Sequence, residues 1–429
     1  MDKLVVEGGN VLSGNIRISG SKNACLPILA AAILTSDDVK IKNIPDLKDV
    51  STMLKILEFL GKKVTYSKNT AVISGEVNNP LAPYELVSTM RASIVTLGPL
   101  IGKCKEAKVS FPGGCVIGPR PIDLHIKGLK TLGVHIYVKE GYLLAKAPKL
   151  TGSKVFLGGH FGSSVLATDN VMMAACLAEG ETVIENSACE PEVEDLANML
   201  IAMGADIKGA GTPTLRIKGV KKLHGVEYSV IPDRIEAGTY MIAAAITGGR
   251  LFLENAHTNH NLALLDKLNE VGVVVREGKN GVEVYREGDR TYATDITTLT
   301  YPGFPTDLQA QMMSLATVSE GISVITEKIY SERFIHISEL NRMGANIILE
   351  GATAIIKGSR KLSGAPVMAS DLRASAALVL AGLVAEGKTE ILRVYHLDRG
   401  YEKLEEKLSK VGAKIWRVKE TKEKTEAQG

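Results

Sequence analysis

The stretch Pro112 to His125, PGGCVIGPRPIDLH, brings one thiol, Cys115, close in sequence to Arg120, Asp123 and His125. Its glycines and prolines exclude a continuous helix, so the thiol rides on a shaped loop, and such loops carry chemistry more often than stability. A fixed guanidinium such as Arg120 favours the thiolate or grips an anionic substrate. A lone cysteine also serves as a small buried apolar residue, and the loop alone leaves both readings open.

Other candidates stand at the starts of predicted helices. Lys22 and Asn23, Arg91, Ser163 and Ser164, Asp233 and Arg234, Asp307, and Asp371 and Arg373 precede segments rich in small apolar residues. Lys48 and Asp49, Cys115 and Arg120, Glu190 and Glu192, Arg333, and Arg399 precede amphipathic ones. Helix N-termini offer unpaired N–H groups and partial positive charge, which makes them anion sites. With Lys22, Arg120, Arg333, Arg373 and Arg399 added there, the pattern implies a substrate bearing several phosphates or carboxylates. Asp233, Asp307 and Asp371 occupy N-cap positions, and spacing alone favours capping over a general base. Glu190 and Glu192 flank Pro191 where the helix dipole favours acids, and read as structural or lobe-bridging. An arginine at a helix start is unfavourable without an anion or partner, so Arg120, Arg333 and Arg399 point to a ligand or to pairing between lobes.

Several chemistries find no support. His257 and His260 in AHTNHN read as a solvated loop, HExxH is absent, and no metal is expected. GGHFGSSV lacks the lysine and spacing of a P-loop, and no GxGxxG follows a first strand, which argues against nucleotide triphosphate hydrolysis and dinucleotide redox chemistry.

The elements that must position these residues recur. FLGKKV, TLGVHI, AMGADI, EVGVVV, RMGANI and KVGAKI each end an amphipathic segment at a glycine, Gly61, Gly133, Gly204, Gly272, Gly344 and Gly412, at intervals of 68 to 72 residues. Each glycine suits a left-handed helix C-cap before a strand. Ahead of every such helix lies a small-residue helix, for example NACLPILAAAIL or RASAALVLAGLVAEG, that reads as buried. The whole is an α/β chain of six units, three in each of two lobes, with the first strand packed onto the last unit. The tail from Val418 lacks apolar periodicity.

The chain has 429 residues, 51 Lys and Arg against 48 Asp and Glu, and five scattered cysteines. Near-balanced charge and few aromatics give no nucleic-acid surface, and the cysteines give neither a disulfide framework nor a zinc site. A cytoplasmic setting is expected, since apolar runs fall short of the roughly 20 residues of a membrane span.

Together SGSKNA, TMRAS at Thr89 to Ser93, PGGCVIGPRPIDLH, PDRIEAGT, FPTDLQAQ, SDLRASAAL and YHLDRGYE resemble the UDP-N-acetylglucosamine enolpyruvyl transferase family, from about Met1 to Val418. The resemblance implies a two-lobed inside-out α/β barrel of six repeats. The first lobe would span 22–231, the second 1–21 with 232–418, and a charged tail 419–429. It implies transfer of the enolpyruvyl group of phosphoenolpyruvate to the 3-hydroxyl of UDP-N-acetylglucosamine, with no cofactor. Cys115 would be the general acid and the site of alkylation by fosfomycin, and Asp307 the base. Lys22, Arg120 and Arg399 would hold the phosphate, with Arg333 and Arg373 near it, and Lys22 and Arg399 counted with the catalytic set. Asn23 and Arg91 would contact the cleft, and Arg120, Pro121, Ile122, Asp123, Leu124, Ser164, Val165, Asp307 and Ile329 the nucleotide sugar. Two departures stand out: Gly162 lies in a run where many members carry a lysine, and Cys189 replaces the common arginine before EPE. Rival readings are transfer to shikimate 3-phosphate and a noncatalytic sugar-nucleotide-binding scaffold.

Overall fold

The computed structural model describes residues 2–88, 90–111, 122–359 and 361–419, with the backbone of Arg91. The chain divides into an N-terminal unit, Ser19–Arg234 with Leu299–Gly303, and a C-terminal unit, Met1–Ile18 with Ile235–Thr298 and Phe304–Gly429. The fold is α/β, and each unit has its own apolar core.

Among the described residues each unit holds three four-stranded sheets, all six built on one pairing scheme. An outer strand runs parallel to its neighbour and the other two pairings are antiparallel. In one sheet Lys154–Phe156 runs parallel to Glu181–Glu185, which pairs antiparallel with Thr214–Lys218, itself antiparallel to Asp206–Lys208. Each unit also closes on itself. In the N-terminal unit the last strand, Val226–Ser229, pairs parallel with the first, Val39–Lys42. In the C-terminal unit Lys3–Glu7 lies between Lys388–Leu392 and Lys414–Val418, with Leu4 opposite Ile391 on one side and Arg417 on the other.

The helices follow from composition and caps. In Lys22–Ala31 every residue from Ala24 on is buried, as an all-round apolar helix requires, and the Ser21 hydroxyl caps it by accepting from the Ala24 N–H at 3.3 Å. Ser164 caps Val165–Ala175 in the same way, and the Asp371 carboxylate caps Leu372–Val384 through the N–H groups of Arg373 and Ala374 at 2.9 and 3.1 Å. The six recurring glycines all take positive φ, from 85° at Gly272 to 104° at Gly412, the conformation that ends a helix at little cost to glycine. Small residues allow close approach inside the units. A Cβ on Gly98 would lie 2.1 Å from the Asn170 carbonyl oxygen, so helices Leu97–Cys104 and Val165–Ala175 meet backbone to backbone.

The chain passes between units next to Ser19 and Arg234. Here the Ser21 N–H donates to Ile231 O at 2.7 Å and the Asp233 N–H to Ser19 O at 2.8 Å, pairing the two passing segments just ahead of Lys22. No helix among the described residues is long and apolar enough to cross a membrane.

Candidate active site

In the C-terminal unit three of the predicted residues touch. Asp307 lies in the short turn Thr306–Leu308 before helix Gln309–Ala316. Its Oδ1 accepts from Arg333 Nη1 at 2.8 Å and its Oδ2 from Arg373 Nη2 at 3.0 Å. Both arginines are almost fully buried, whereas the Asp307 side chain keeps 26% of its surface exposed, so the pair is rooted in the unit and the carboxylate forms its open end. Arg333 is held further by Thr306, whose hydroxyl accepts from Nη1 at 2.9 Å and donates to Glu327 Oε2 at 2.9 Å. The Glu327 Oε1 atom collects the Thr298 hydroxyl at 2.6 Å and the N–H groups of Ile329 and Tyr330 at 2.8 and 3.0 Å, fixing the loop that leads to Arg333. Arg399 closes the short helix Val394–Arg399 of the same unit.

Burial acts to raise the pKa of Asp307, but the charges of Arg373 and Arg333 outweigh it and hold the carboxyl well below its usual range. Two buried guanidiniums converge on this partly open carboxylate, with Asp371 also facing Arg333, so an anion arriving here competes with carboxylates for the arginines. Beside it His336 is buried. Burial, assisted by Arg333 and opposed by Asp371, pushes it down to about 4, so the imidazole is neutral at neutral pH.

In the N-terminal unit Lys22 opens its helix between two buried aspartates. Its Nζ lies 2.6 Å from Asp49 Oδ2, and its backbone N–H donates to Asp233 Oδ2 at 3.2 Å. Asn23 follows on the same helix, Arg91 begins the short helix Arg91–Thr96, and Ser164 and Val165 form the start of Val165–Ala175. Ile122 precedes helix Asp123–Thr131, whose first residues are Asp123 and Leu124. His125 is buried, with Nδ1 accepting from Asn170 Nδ2 at 2.8 Å, while Asn170 Oδ1 accepts from the Gly98 N–H at 2.6 Å. Nearby, Asp169 is fully buried with neither carboxylate oxygen partnered among the described residues, and burial, with Glu190 and Glu192 adding, raises it well above the usual range.

These positions amend the sequence reading. Asp371 caps a helix, but Asp307 does not: its carboxylate goes to arginines, because buried guanidiniums need an anion more than the short helix needs a cap. Asp233 serves the helix of Lys22. Arg333 finds its partner inside its own unit, and Glu192 is bound by Arg234 Nε at 2.9 Å. Cys115, Arg120 and Pro121 lie outside the described residues, as does the tail beyond Lys419. The sequence reading missed Thr306, Glu327 and His336. The only signal for Glu327 was an acid directly after the strand Ile322–Thr326.

The buried arginine pair around Asp307 lies within one of two units of like α/β sheets, and the family match defines the class, an enolpyruvyl-type transferase. The chain belongs to the family described as EPSP synthase (3-phosphoshikimate 1-carboxyvinyltransferase), whose profile matches residues 6–408. Within it, the chain is 57% identical over 418 residues to the UDP-N-acetylglucosamine 1-carboxyvinyltransferase of Methylacidiphilum infernorum (isolate V4), covering 97% of this chain and 99% of that protein. It is 54% identical over 416 residues to UDP-N-acetylglucosamine 1-carboxyvinyltransferase 1 of Caldanaerobacter subterraneus subsp. tengcongensis, with 97% and 99% covered. Among solved structures, the enolpyruvyl transferase NikO from Streptomyces tendae matches with a TM-score of 0.89 at 26% identity, covering 98% of this chain and 99% of that one. The EPSP synthase of Acinetobacter baumannii matches with a TM-score of 0.74 at 20% identity over 98% of this chain and 100% of its own, a likeness of fold.

Proposed function

We infer that this protein transfers the enolpyruvyl group of phosphoenolpyruvate to the 3-hydroxyl of UDP-N-acetylglucosamine and releases phosphate. The observation that carries this reading is the 57% identity, over 97% of the chain, to a relative named for that acceptor. The reaction is the first committed step of peptidoglycan precursor synthesis, and we place it in the cytoplasm.

The chemistry divides among the proposed residues. Cys115 gives a proton to the methylene carbon of phosphoenolpyruvate, leaving a cationic centre at C2. Asp307 takes the proton of the sugar 3-hydroxyl as its oxygen bonds to C2. Loss of a methyl proton and of phosphate from the tetrahedral adduct then restores the double bond as an enol ether. Lys22, Arg120 and Arg399 hold the phosphate, with Arg333 and Arg373 balancing negative charge beside it. Arg120 to Leu124, Ser164, Val165, Asp307 and Ile329 receive the nucleotide sugar, and Asn23 and Arg91 contact the cleft. We propose that the chain forms the two lobes of an inside-out α/β barrel, three repeats in each, with lobe boundaries beside Lys22 and Ile231, a few residues from where the two units part.

The test is phosphate release from phosphoenolpyruvate with and without UDP-N-acetylglucosamine, before and after fosfomycin. The expected result is acceptor-dependent release that the drug abolishes through Cys115 and that Cys115→Ser lowers by about a hundredfold or more. Release only with shikimate 3-phosphate would reassign the acceptor. Absence of release with either would favour a binding scaffold.

A further inference from the structure

In the C-terminal unit one amide joins both ends of Asp307 to the same support. Gln311, on helix Gln309–Ala316, donates from Nε2 to the Asp307 carbonyl oxygen at 2.8 Å and to the Tyr401 hydroxyl at 3.1 Å, with Thr239 Oγ1 at 3.3 Å. The carbonyl can only accept, which fixes the amide orientation. The Thr239 hydroxyl donates to Ile235 O at 2.8 Å, so in the 2.8 Å contact between Thr239 and Tyr401 the tyrosine is the donor. The hydrogens then run in one direction, from Gln311 to Tyr401, to Thr239, to the helix backbone.

The Tyr401 ring also carries the Arg373 guanidinium, whose carbon lies 5.5 Å from the ring centroid, and Arg373 in turn grips the Asp307 carboxylate. The contacts form a closed loop: Asp307 carbonyl, Gln311, Tyr401, Arg373, Asp307 carboxylate. Tyr401 lies two residues after Arg399, and the intervening Gly400 packs so tightly that an added Cβ would lie 2.5 Å from a methyl of Leu372, the neighbour of Arg373. Gln311 and Thr239 are buried, and the Gln311 Oε1 atom has no partner among the described residues. A leucine there would fill the space without an unpaired oxygen. The amide is accounted for by what its nitrogen holds.

We propose that Gln311 and Tyr401 are positioning residues for the enolpyruvyl transfer, setting the Asp307 turn and the Arg373 guanidinium as one piece and fixing the reach of Arg399 beside them. This rests on the reading of the reaction given above. Neither residue touches substrate; each acts through Asp307 and Arg373.

The experiment compares the full-length unmodified chain with Gln311→Leu, Tyr401→Phe and the double variant, in phosphoenolpyruvate and UDP-N-acetylglucosamine turnover with melting temperatures alongside. Gln311→Leu is expected to lower kcat about ten- to hundredfold, with KM for UDP-N-acetylglucosamine within about twofold. Tyr401→Phe keeps the ring under Arg373, loses only the hydroxyl, and is expected to lower kcat less. The double variant should be no slower than Gln311→Leu, since one chain of bonds is cut in either case. The acidic limb of the kcat profile should move to higher pH in Gln311→Leu, because Arg373 is looser on Asp307. Arg333 still faces that carboxylate, and Asp371 faces Arg333 and His336. A kcat within twofold of the unmodified chain in both single variants, or a lower kcat with an unmoved pH profile, would overturn the positioning role alone. No turnover in the unmodified chain would overturn the reaction and this role with it.

Discussion

The two charged clusters are built in opposite ways. In the C-terminal unit two buried guanidiniums share the one carboxylate of Asp307. In the N-terminal unit the ammonium of Lys22 and the N–H behind it are taken by two carboxylates, Asp49 and Asp233. The first cluster sets two guanidiniums around one partly open carboxylate, with which an incoming anion competes. In the second the lysine charge is already matched, and the grip settles where the side chain points. On the proposed reaction the arginines balance negative charge beside the phosphate and the lysine is aimed at it, a distinction that a tally of basic residues hides.

Three changes test that distinction. The largest effect is expected from Asp307→Asn. Turnover should fall about 10²- to 10⁴-fold as the proposed base is lost, while inorganic phosphate binds more tightly, because Arg333 and Arg373 no longer share the Asp307 carboxylate. Calorimetric titration with phosphate gives the sign. Weaker phosphate binding would mean that Asp307 organises the arginines instead of competing for them.

A smaller loss is expected from Asp49→Asn, which leaves the charge of Lys22 and removes its anchor. The kcat/KM for phosphoenolpyruvate should drop about tenfold, and steady-state kinetics at saturating UDP-N-acetylglucosamine would measure it. An unchanged value would show that Lys22 needs no aiming.

The subtlest contrast is in the response to acid. His336, in the C-terminal unit, is pushed from 6.5 down to about 4, chiefly by burial. Between those values the unfolded chain binds the proton and the folded chain does not, so its stabilisation is complete above pH 6.5 and is lost as the pH falls toward 4. Asp195, in the N-terminal unit, is pushed by burial from 3.8 up to about 6 against hydrogen bonds from Tyr228 and Ile231. There the folded chain holds the extra proton, so its stabilisation is present at low pH and lost as the pH rises through 6. From these two groups, lowering the pH from 7 to 5 weakens the C-terminal unit relative to the N-terminal one, about tenfold in local opening from each group and roughly a hundredfold in their ratio. Amide exchange protection, corrected for intrinsic rates and compared between units, would detect it, and His336→Gln should remove the C-terminal share. Equal changes in both units would erase the contrast.

Much of the frame was legible because it depends on local rules. Glycines at a spacing near 70 residues are legible as helix ends since only glycine adopts positive φ there cheaply, and Ala-rich runs are legible as buried helices. Partners distant in sequence were not. An aspartate before QAQMMS has the same local signature whether it caps that helix or pairs with Arg373, 66 residues further on. Gln311 and Tyr401 stood inside the FPTDLQAQ and YHLDRGYE motifs, but their meeting, 90 residues apart, is fixed only by how two helices and a turn pack.

The strand Lys3–Glu7 has a consequence for the order of assembly. It lies in the middle of a sheet between Lys388–Leu392 and Lys414–Val418, both of which are made after the Ser19–Arg234 segment. The N-terminal unit, nearly contiguous from Ser19 to Arg234, can close its sheets while synthesis continues. The apolar run Leu4, Val5 and Val6 stays unmated until Lys388–Leu392 has been made, a sticky strand in need of shielding by a chaperone or by the nascent chain itself. A change within Lys3–Glu7 is therefore felt where Lys388–Leu392 and Lys414–Val418 fold.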